Sequence, residues 1–237
     1  MNTGDTAFMM ICAALVFFMT PGLAFFYGGL VRRKNVCNTI MACVAIMGLS
    51  VVMWTLFGYS LSFGGNHAGI IGDFRWFGLN GVGMEAGPYA DSIPHLVFCA
   101  FQMMFAMITP ALITGSLVGR MKFKALFLFV AIWSVIVYYP MAHMVWGDGG
   151  FLAAIGSVDF AGGDVVHISS GISALVLAII LGRRRGYEHT TYRIHNIPSV
   201  VLGASLLWFG WFGFNAGSAL KADGLAAHAF MLSLIHI

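Results

Sequence analysis

One histidine and three aspartates are the only ionisable groups in one long stretch. Met144 to Leu181 reads MVWGDGGFLAAIGSVDFAGGDVVHISSGISALVLAIIL. Asp159 and Asp164 close a glycine-rich loop, and His167 follows about one turn inside an apolar run. An ionisable side chain at that depth of a bilayer costs roughly 2.5–3.5 kcal/mol or more, so it marks a functional site by default. Two roles are open to His167. It can hydrogen-bond a neighbouring helix and do nothing else. Alternatively, its neutral imidazole offers one donor and one acceptor to a small polar substrate, or relays a proton. On a 3.6-residue period His167 shares a face with Asp164, Gly171 and Ala174, a strip small enough for close packing or for lining a narrow lumen. Ile168, Ile172, Leu175 and Ile179 fall on the other side. Asp159, just ahead of the helix, is expected to cap its first N–H groups, with Asp164 a first-turn residue favoured by the helix dipole.

Aromatic residues surround this stretch in the sequence. Phe101 and Phe105 lie four apart and share a helix face. Trp146 precedes the loop glycines, and Ser218 follows Phe214 by one turn. Aromatic faces attract small cations by about 0.5–2 kcal/mol, and a serine hydroxyl accepts a hydrogen bond from an ammonium-type N–H. Each ring taken singly also fits core packing or an interfacial belt. The histidines at 67, 95, 143, 189, 195, 228 and 236 are expected to be interfacial or solvated. Cys12, Cys37, Cys43 and Cys99 are scattered through apolar segments and read as small buried hydrophobes. There is no Walker loop, HExxH, GxSxG or Cys/His cluster. Neither an enzyme nor a nucleotide-driven pump is indicated, and no metal or cofactor is expected.

The elements that must position these groups are membrane spans. Of 237 residues, 59% are hydrophobic and 9% charged, with mean hydropathy +0.88, where soluble domains carry about 25% charged residues. A crossing helix needs about 20 mostly apolar residues. Six such stretches occur, at roughly 6–31, 38–62, 92–118, 123–142, 163–182 and 197–219, and a seventh begins near 225. Pro21 and Pro110 are expected to kink the first and third. Ten of the twelve Lys and Arg fall in three loops: Arg32, Arg33 and Lys34; Arg120, Lys122 and Lys124; Arg183, Arg184, Arg185 and Arg193. Alternating spans put all three loops on one side, and the positive-inside rule makes that side cytoplasmic and the N-terminus external. The first span carries no basic leader and is expected to stay. The closing MLSLIHI stops within an apolar segment, so the chain reads as the N-terminal piece of a longer one. AFFYGGL in the first span and FGFNAGSAL in the sixth run in opposite directions and share an aromatic–small pattern, a faint sign of an inverted repeat.

Several longer segments carry a family likeness: FFYGGLVRRKNV (25–36), FGYSLSFG (57–64), FQMMFAMITPALITG (101–115), PMAHMVWGDGGFL (140–152), VDFAGGDVVHISSG (158–171), HNIPSV (195–200) and GWFGFNAGSAL (210–220). Through them the chain resembles the ammonium transporter (Amt/Mep/Rh) family, nearest its bacterial-type branch, over nearly all of 6–230. The resemblance implies an all-α polytopic fold of two inverted five-helix repeats plus a last helix. Residues 1–237 would supply the first repeat, the sixth helix and the start of the seventh. It also implies a homotrimer in the plasma membrane, with one pore per subunit. By position, Phe105, Trp146 and Ser218 resemble the outer recruitment site for ammonium. Phe105 and Phe214 resemble the gate, with Phe101 nearby. His167 resembles the first of two pore histidines, and Asp159 the structural carboxylate. The second histidine belongs beyond Ile237. The implied partners are ammonium or ammonia and the bilayer. Methylammonium and a PII-type signal protein on the cytoplasmic face stay open, and nucleic acid is not expected. An ammonium sensor of the same fold, signalling through a cytoplasmic domain, is the alternative.

Overall fold

A computed structural model describes residues 1–184, 186–189 and 191–235. Arg185 and His236 lie outside the described residues. The chain is a bundle of apolar helices, six of them long and apolar enough to cross a membrane. The first span is α1 (Thr3–Leu30). The second is α2 (Val36–Met53), which passes through a π-turn at Trp54–Gly58 into α3 (Tyr59–Phe63). A loop with two short strands, β1 (Ala86–Gly87) and β2 (Ala90–Pro94), leads to α4 (His95–Leu117), the third span. The fourth is α5 (Phe123–Trp133), a π-turn at Ser134–Tyr138 and α6 (Tyr139–Trp146), followed by the short α7 (Phe151–Ala154). The fifth opens with a third π-turn, Gly163–Ile168, and continues as α8 (Ser169–Leu181). Next come α9 (Ile197–Gly217) and α10 (Gly224–Ile235). Pro21 and Pro110 sit inside α1 and α4 without ending either helix.

The third span is the centre of the bundle: 72% of its most apolar window is buried, against 22% for the fifth and sixth spans. Phe101 and Phe105 of α4 therefore sit in fixed surroundings, while α8 turns Ile172, Leu175 and Ile179 outward, with Ile168 of the preceding π-turn. Helices α1 and α9 are held together by small residues, because lipid tails give apolar side chains no reason to prefer each other and close packing must supply the attraction. A Cβ placed on Gly203 would lie 2.3 Å from the Phe26 backbone nitrogen, and one on Gly210 would lie 2.1 Å from Met19 Cγ. Gly203→Ala is accordingly expected to destabilise the protein by ~1–3 kcal/mol through overpacking. Gly48→Ala, where a Cβ meets nothing within 4 Å, should be neutral or slightly stabilising. Thermal unfolding in detergent checks the pair, and equal melting temperatures for both variants would refute the contact.

The two ends of the bundle differ. At one end the basic loops touch: Arg120 Nη1 donates to the Gly182 carbonyl at 3.0 Å, and Arg184 Nε to the Val118 carbonyl at 3.1 Å. His195 N donates to the Val31 carbonyl beside them. At the other end Asn66 bridges to Gly149, and Phe151 N donates to the Gly69 carbonyl. Two histidines expected to be interfacial or solvated are buried. The His95 ring nitrogen Nε2 lies 2.5 Å from the Tyr59 hydroxyl. His143 bonds the Ser62 carbonyl and the Asn66 side chain.

Candidate functional site

The site lies at the end away from the basic loops, and its scaffold is built around Asp159. The Asp159 carboxylate accepts four backbone N–H groups: Gly162 (2.5 Å) and Gly163 (2.9 Å) on Oδ1, Asp164 (2.8 Å) and Val165 (3.0 Å) on Oδ2. The first donors of a helix have no partner in the helix itself, and a carboxylate at that pole also meets the positive end of the dipole. Gly162 makes the entry possible. It sits at φ +104, and a Cβ there would lie 2.8 Å from Val166 Cγ2 and 3.6 Å from the Phe214 ring. Asp164 in turn accepts from Ser157 Oγ at 2.7 Å.

This entry is a π-turn. His167 N bonds back five residues to the Gly162 carbonyl at 3.0 Å. Gly171 and Ala174, exposed and half-buried, follow on the face of His167. Its ring lies flat over Trp211, 5.6 Å between centroids and 5° between planes, and 6.0 Å from Phe214. The imidazole is exposed at the side of the chain.

Above it, rings are stacked from three elements. Phe101 and Phe105 of α4 have centroids 5.0 Å apart, and Phe105 lies 4.4 Å from Phe214 of α9. Trp146, at the end of α6, meets the Phe105 ring edge-on at 5.8 Å. All three phenylalanines are buried. Over this floor opens a cavity of about 380 Å³, lined among others by Phe105, Trp146, Ser218, Gln102, Tyr89 and Asp159. Asp159 is the one carboxylate in that lining.

The polar groups of the cavity are committed in specific ways. Trp146 Nε1 donates to the Asp159 carbonyl at 2.9 Å, which fixes the indole and leaves its ring to the cavity. Ser218 Oγ donates to the Phe214 carbonyl at 2.9 Å. Its hydrogen is thereby spent, and only lone pairs remain for a ligand. The Tyr89 hydroxyl donates to the Phe63 carbonyl at 2.8 Å, and burial pushes its phenol above the ordinary value, so it stays neutral. Gln102 Oε1 is buried with no hydrogen-bond partner among the described residues. A donor-rich cation can satisfy it.

The structure thus brings together Phe101, Phe105, Trp146, Asp159, His167, Phe214 and Ser218. Two neighbours were missed in the sequence, Gln102 and Trp211. Each carried a signal. Gln102 is a lone amide in an apolar span, three residues before Phe105. Trp211 precedes Phe214 by three and Ser218 by seven, the spacing of one helix face. Among the described residues no group of three His, Cys, Asp or Glu is placed to hold a metal.

Fold and site together define an all-α polytopic membrane protein with an aromatic, acceptor-lined cavity at one end. Residues 7–236 match the family model described as Ammonium Transporter Family, and the chain belongs to that family. It is 52% identical over 231 residues to an ammonium transporter of Bacillus subtilis (strain 168), covering 98% of this chain and 56% of that protein. Among solved structures it is similar to Saccharomyces cerevisiae Mep2, with TM-score 0.83 and 35% identity over 98% of this chain and 53% of that one. It is also similar to a structure titled Sensor Amt Protein, with TM-score 0.85 and 29% identity over 96% of this chain and 57% of that one. The chain spans about half the length of the curated relatives it matches.

Proposed function

We propose that the cavity recruits ammonium from outside the cell and that the protein passes it, as ammonia, beyond the phenylalanine pair toward His167. The observation that carries this reading is the position of Phe105. Its ring meets Trp146 on the cavity side and Phe214 on the histidine side. A cation held over the aromatic floor gives its N–H groups to Ser218 Oγ and Gln102 Oε1. The buried rings below offer it no hydrogen-bond acceptor, so passage of a bare charge is costly. Loss of one proton to water in the outer cavity, leaving neutral ammonia, removes that cost. Potassium has a similar size and the same charge but no proton to give up, and it is held back at the same rings. Beyond Phe214, the His167 imidazole supplies a donor and an acceptor to a neutral ammonia. Asp159 acts through the backbone it holds.

The test is ammonium transport by the full-length protein in proteoliposomes, with potassium as the competing ion. Phe105→Ala is expected to raise potassium leak and to weaken ammonium dependence, because both ring contacts disappear. Unchanged selectivity and rate would count against a gate at this ring. Ser218→Ala should weaken apparent ammonium affinity by about 0.5–1.5 kcal/mol, one hydrogen bond. An unaltered concentration dependence would remove Ser218 from the site.

The same reading places the N-terminus outside and the basic loops in the cytoplasm, by charge asymmetry, and takes the assembled protein as a plasma-membrane homotrimer by family likeness. A PII-type partner on the basic face remains part of it. The likeness to a protein titled a sensor makes sensing the second reading. Ammonium binding without transport by the full-length protein would favour it.

A further inference from the structure

Trp146 stands in the middle of a short segment that is fastened at both ends to one distant side chain. At the near end, in α6, the buried His143 ring sets Nδ1 3.1 Å from the Ser62 carbonyl and Nε2 3.3 Å from Asn66 Oδ1. At the far end, Asn66 Nδ2 donates to the Gly149 carbonyl at 2.9 Å. The chain from 143 to 149, the Asn66 amide and the His143 ring thus form a closed circuit that contains Trp146. We propose that His143 is a positioning residue whose protonation completes this circuit, so that ammonium is held more tightly when His143 carries a charge, a role that rests on Trp146 recruiting ammonium as proposed above.

The number of hydrogens available decides the matter. Asn66 cannot turn its amide over, because Oδ1 also accepts from the Gly69 N–H at 2.6 Å while Nδ2 serves Gly149. Turned over, it would set donor against donor at Gly69 and acceptor against acceptor at Gly149. His143 therefore faces two acceptors, the Ser62 carbonyl and Asn66 Oδ1. A neutral imidazole brings one hydrogen and one lone pair, and only the imidazolium brings two hydrogens. With His143 neutral, a lone pair meets an oxygen and the circuit is open at that point. Burial opposes the charge. Three titratable groups face the ring among the described residues. Asp148, in the turn just after α6, and Asp73, in the facing loop, favour the charge, and His67 of the same loop opposes it. Asp73 is itself paired with Arg75 at 3.0 Å, which leaves Asp148 as the main counter-charge.

The circuit reaches the recruitment cavity at two walls. Trp146 is one, and the Asp148 N–H donates to the hydroxyl of Tyr89, the other, at 3.2 Å. The turn between them is made to fit Asn66. Gly149 sits at φ +70, and a Cβ there would lie 2.4 Å from Asn66 Nδ2. Opening the circuit frees the segment that carries the indole and so blurs the aromatic floor under the cation. Repulsion alone would act the other way, since a positive charge near a cation site weakens binding. The direction of the pH effect therefore separates positioning from simple electrostatics.

The experiment is ammonium transport by the full-length protein in proteoliposomes between about pH 5 and about pH 8, the range in which histidine changes charge. KM and kcat are read separately. The parent's KM is expected to rise about three- to ten-fold across the range, the equivalent of one hydrogen bond. His143→Gln, which does not titrate, should give a flat KM. Asn66→Ala, at an exposed position, should give the high KM at every pH, and the double variant should be no worse. Exposed His67→Gln should keep the rise. A KM that falls with pH would show plain repulsion and overturn the proposal. So would an undiminished rise in Asn66→Ala, which decides even where His143→Gln fails to fold, or loss of the rise in His67→Gln. Hydrogen exchange of residues 62–69 and 147–151 without ammonium reads the circuit directly. Protection that weakens with pH in the parent and not in Asn66→Ala is expected, and equal protection in both at every pH would overturn the circuit. A flat parental KM beside pH-dependent protection would overturn the positioning role. Trp146→Leu then separates the two readings, because an unchanged KM in that variant faults recruitment by Trp146 itself.

Discussion

His167→Ala in the full-length protein is expected to cut ammonium-driven transport by about 10- to 100-fold, while folding and melting temperature stay close to those of the parent. The separation follows from where the ring sits. The imidazole is exposed in this chain and touches Trp211 and Phe214, so truncating it opens no core cavity. What disappears is a donor and an acceptor for a solute stripped of water, worth on the order of 1.5–3 kcal/mol. Transport by proteoliposomes and thermal unfolding of the same preparation check both halves. Full transport in the variant would sink the functional role. A collapse of stability would instead mark the histidine as a packing element that hydrogen-bonds elsewhere.

Asp159→Ala is expected to act in the opposite way, through the fold. Four backbone N–H groups lose their acceptor together. Even allowing for solvent at Gly163, that costs ~3 kcal/mol or more. Asp159→Asn keeps one oxygen acceptor and should lie between the two. The readouts are the yield of folded protein and the melting temperature, with indole fluorescence as a local probe, because Trp146 donates to the Asp159 carbonyl. A well-folded Asp159→Ala protein with slow transport would instead place the carboxylate in direct contact with the passing cation.

The helical membrane fold and the family were legible because both are written in long patterns. Apolar runs of about twenty residues and basic loops at every second connection need no tertiary information. The site was legible only as a list of residues. Nothing in the run GDVVHIS distinguishes a wide turn from an ordinary one, since the choice depends on Asp159 holding four N–H groups across a loop. The burial of His95 was hidden for a related reason. Its partner, Tyr59, lies 36 residues away, and both depend on Trp76, which stacks on Tyr59 and meets His95 edge-on. Gln102 looked like an isolated polar residue until the rings and Ser218 closed around it.

The wide turn at Gly163–Ile168 also decouples two design problems. In an ordinary helix each residue advances by about 100°, so the donors held by Asp159 at Gly163, Asp164 and Val165 would be locked in phase with Ile172, Leu175 and Ile179. Here an inserted residue resets the angular phase between that loop-anchored start and α8. The start takes its bearing from Asp159, while His167 keeps step with the exposed side of α8. Deleting a single residue from the turn would rotate one part against the other by about 100° and separate the histidine from its ring partners while every contact residue is still present.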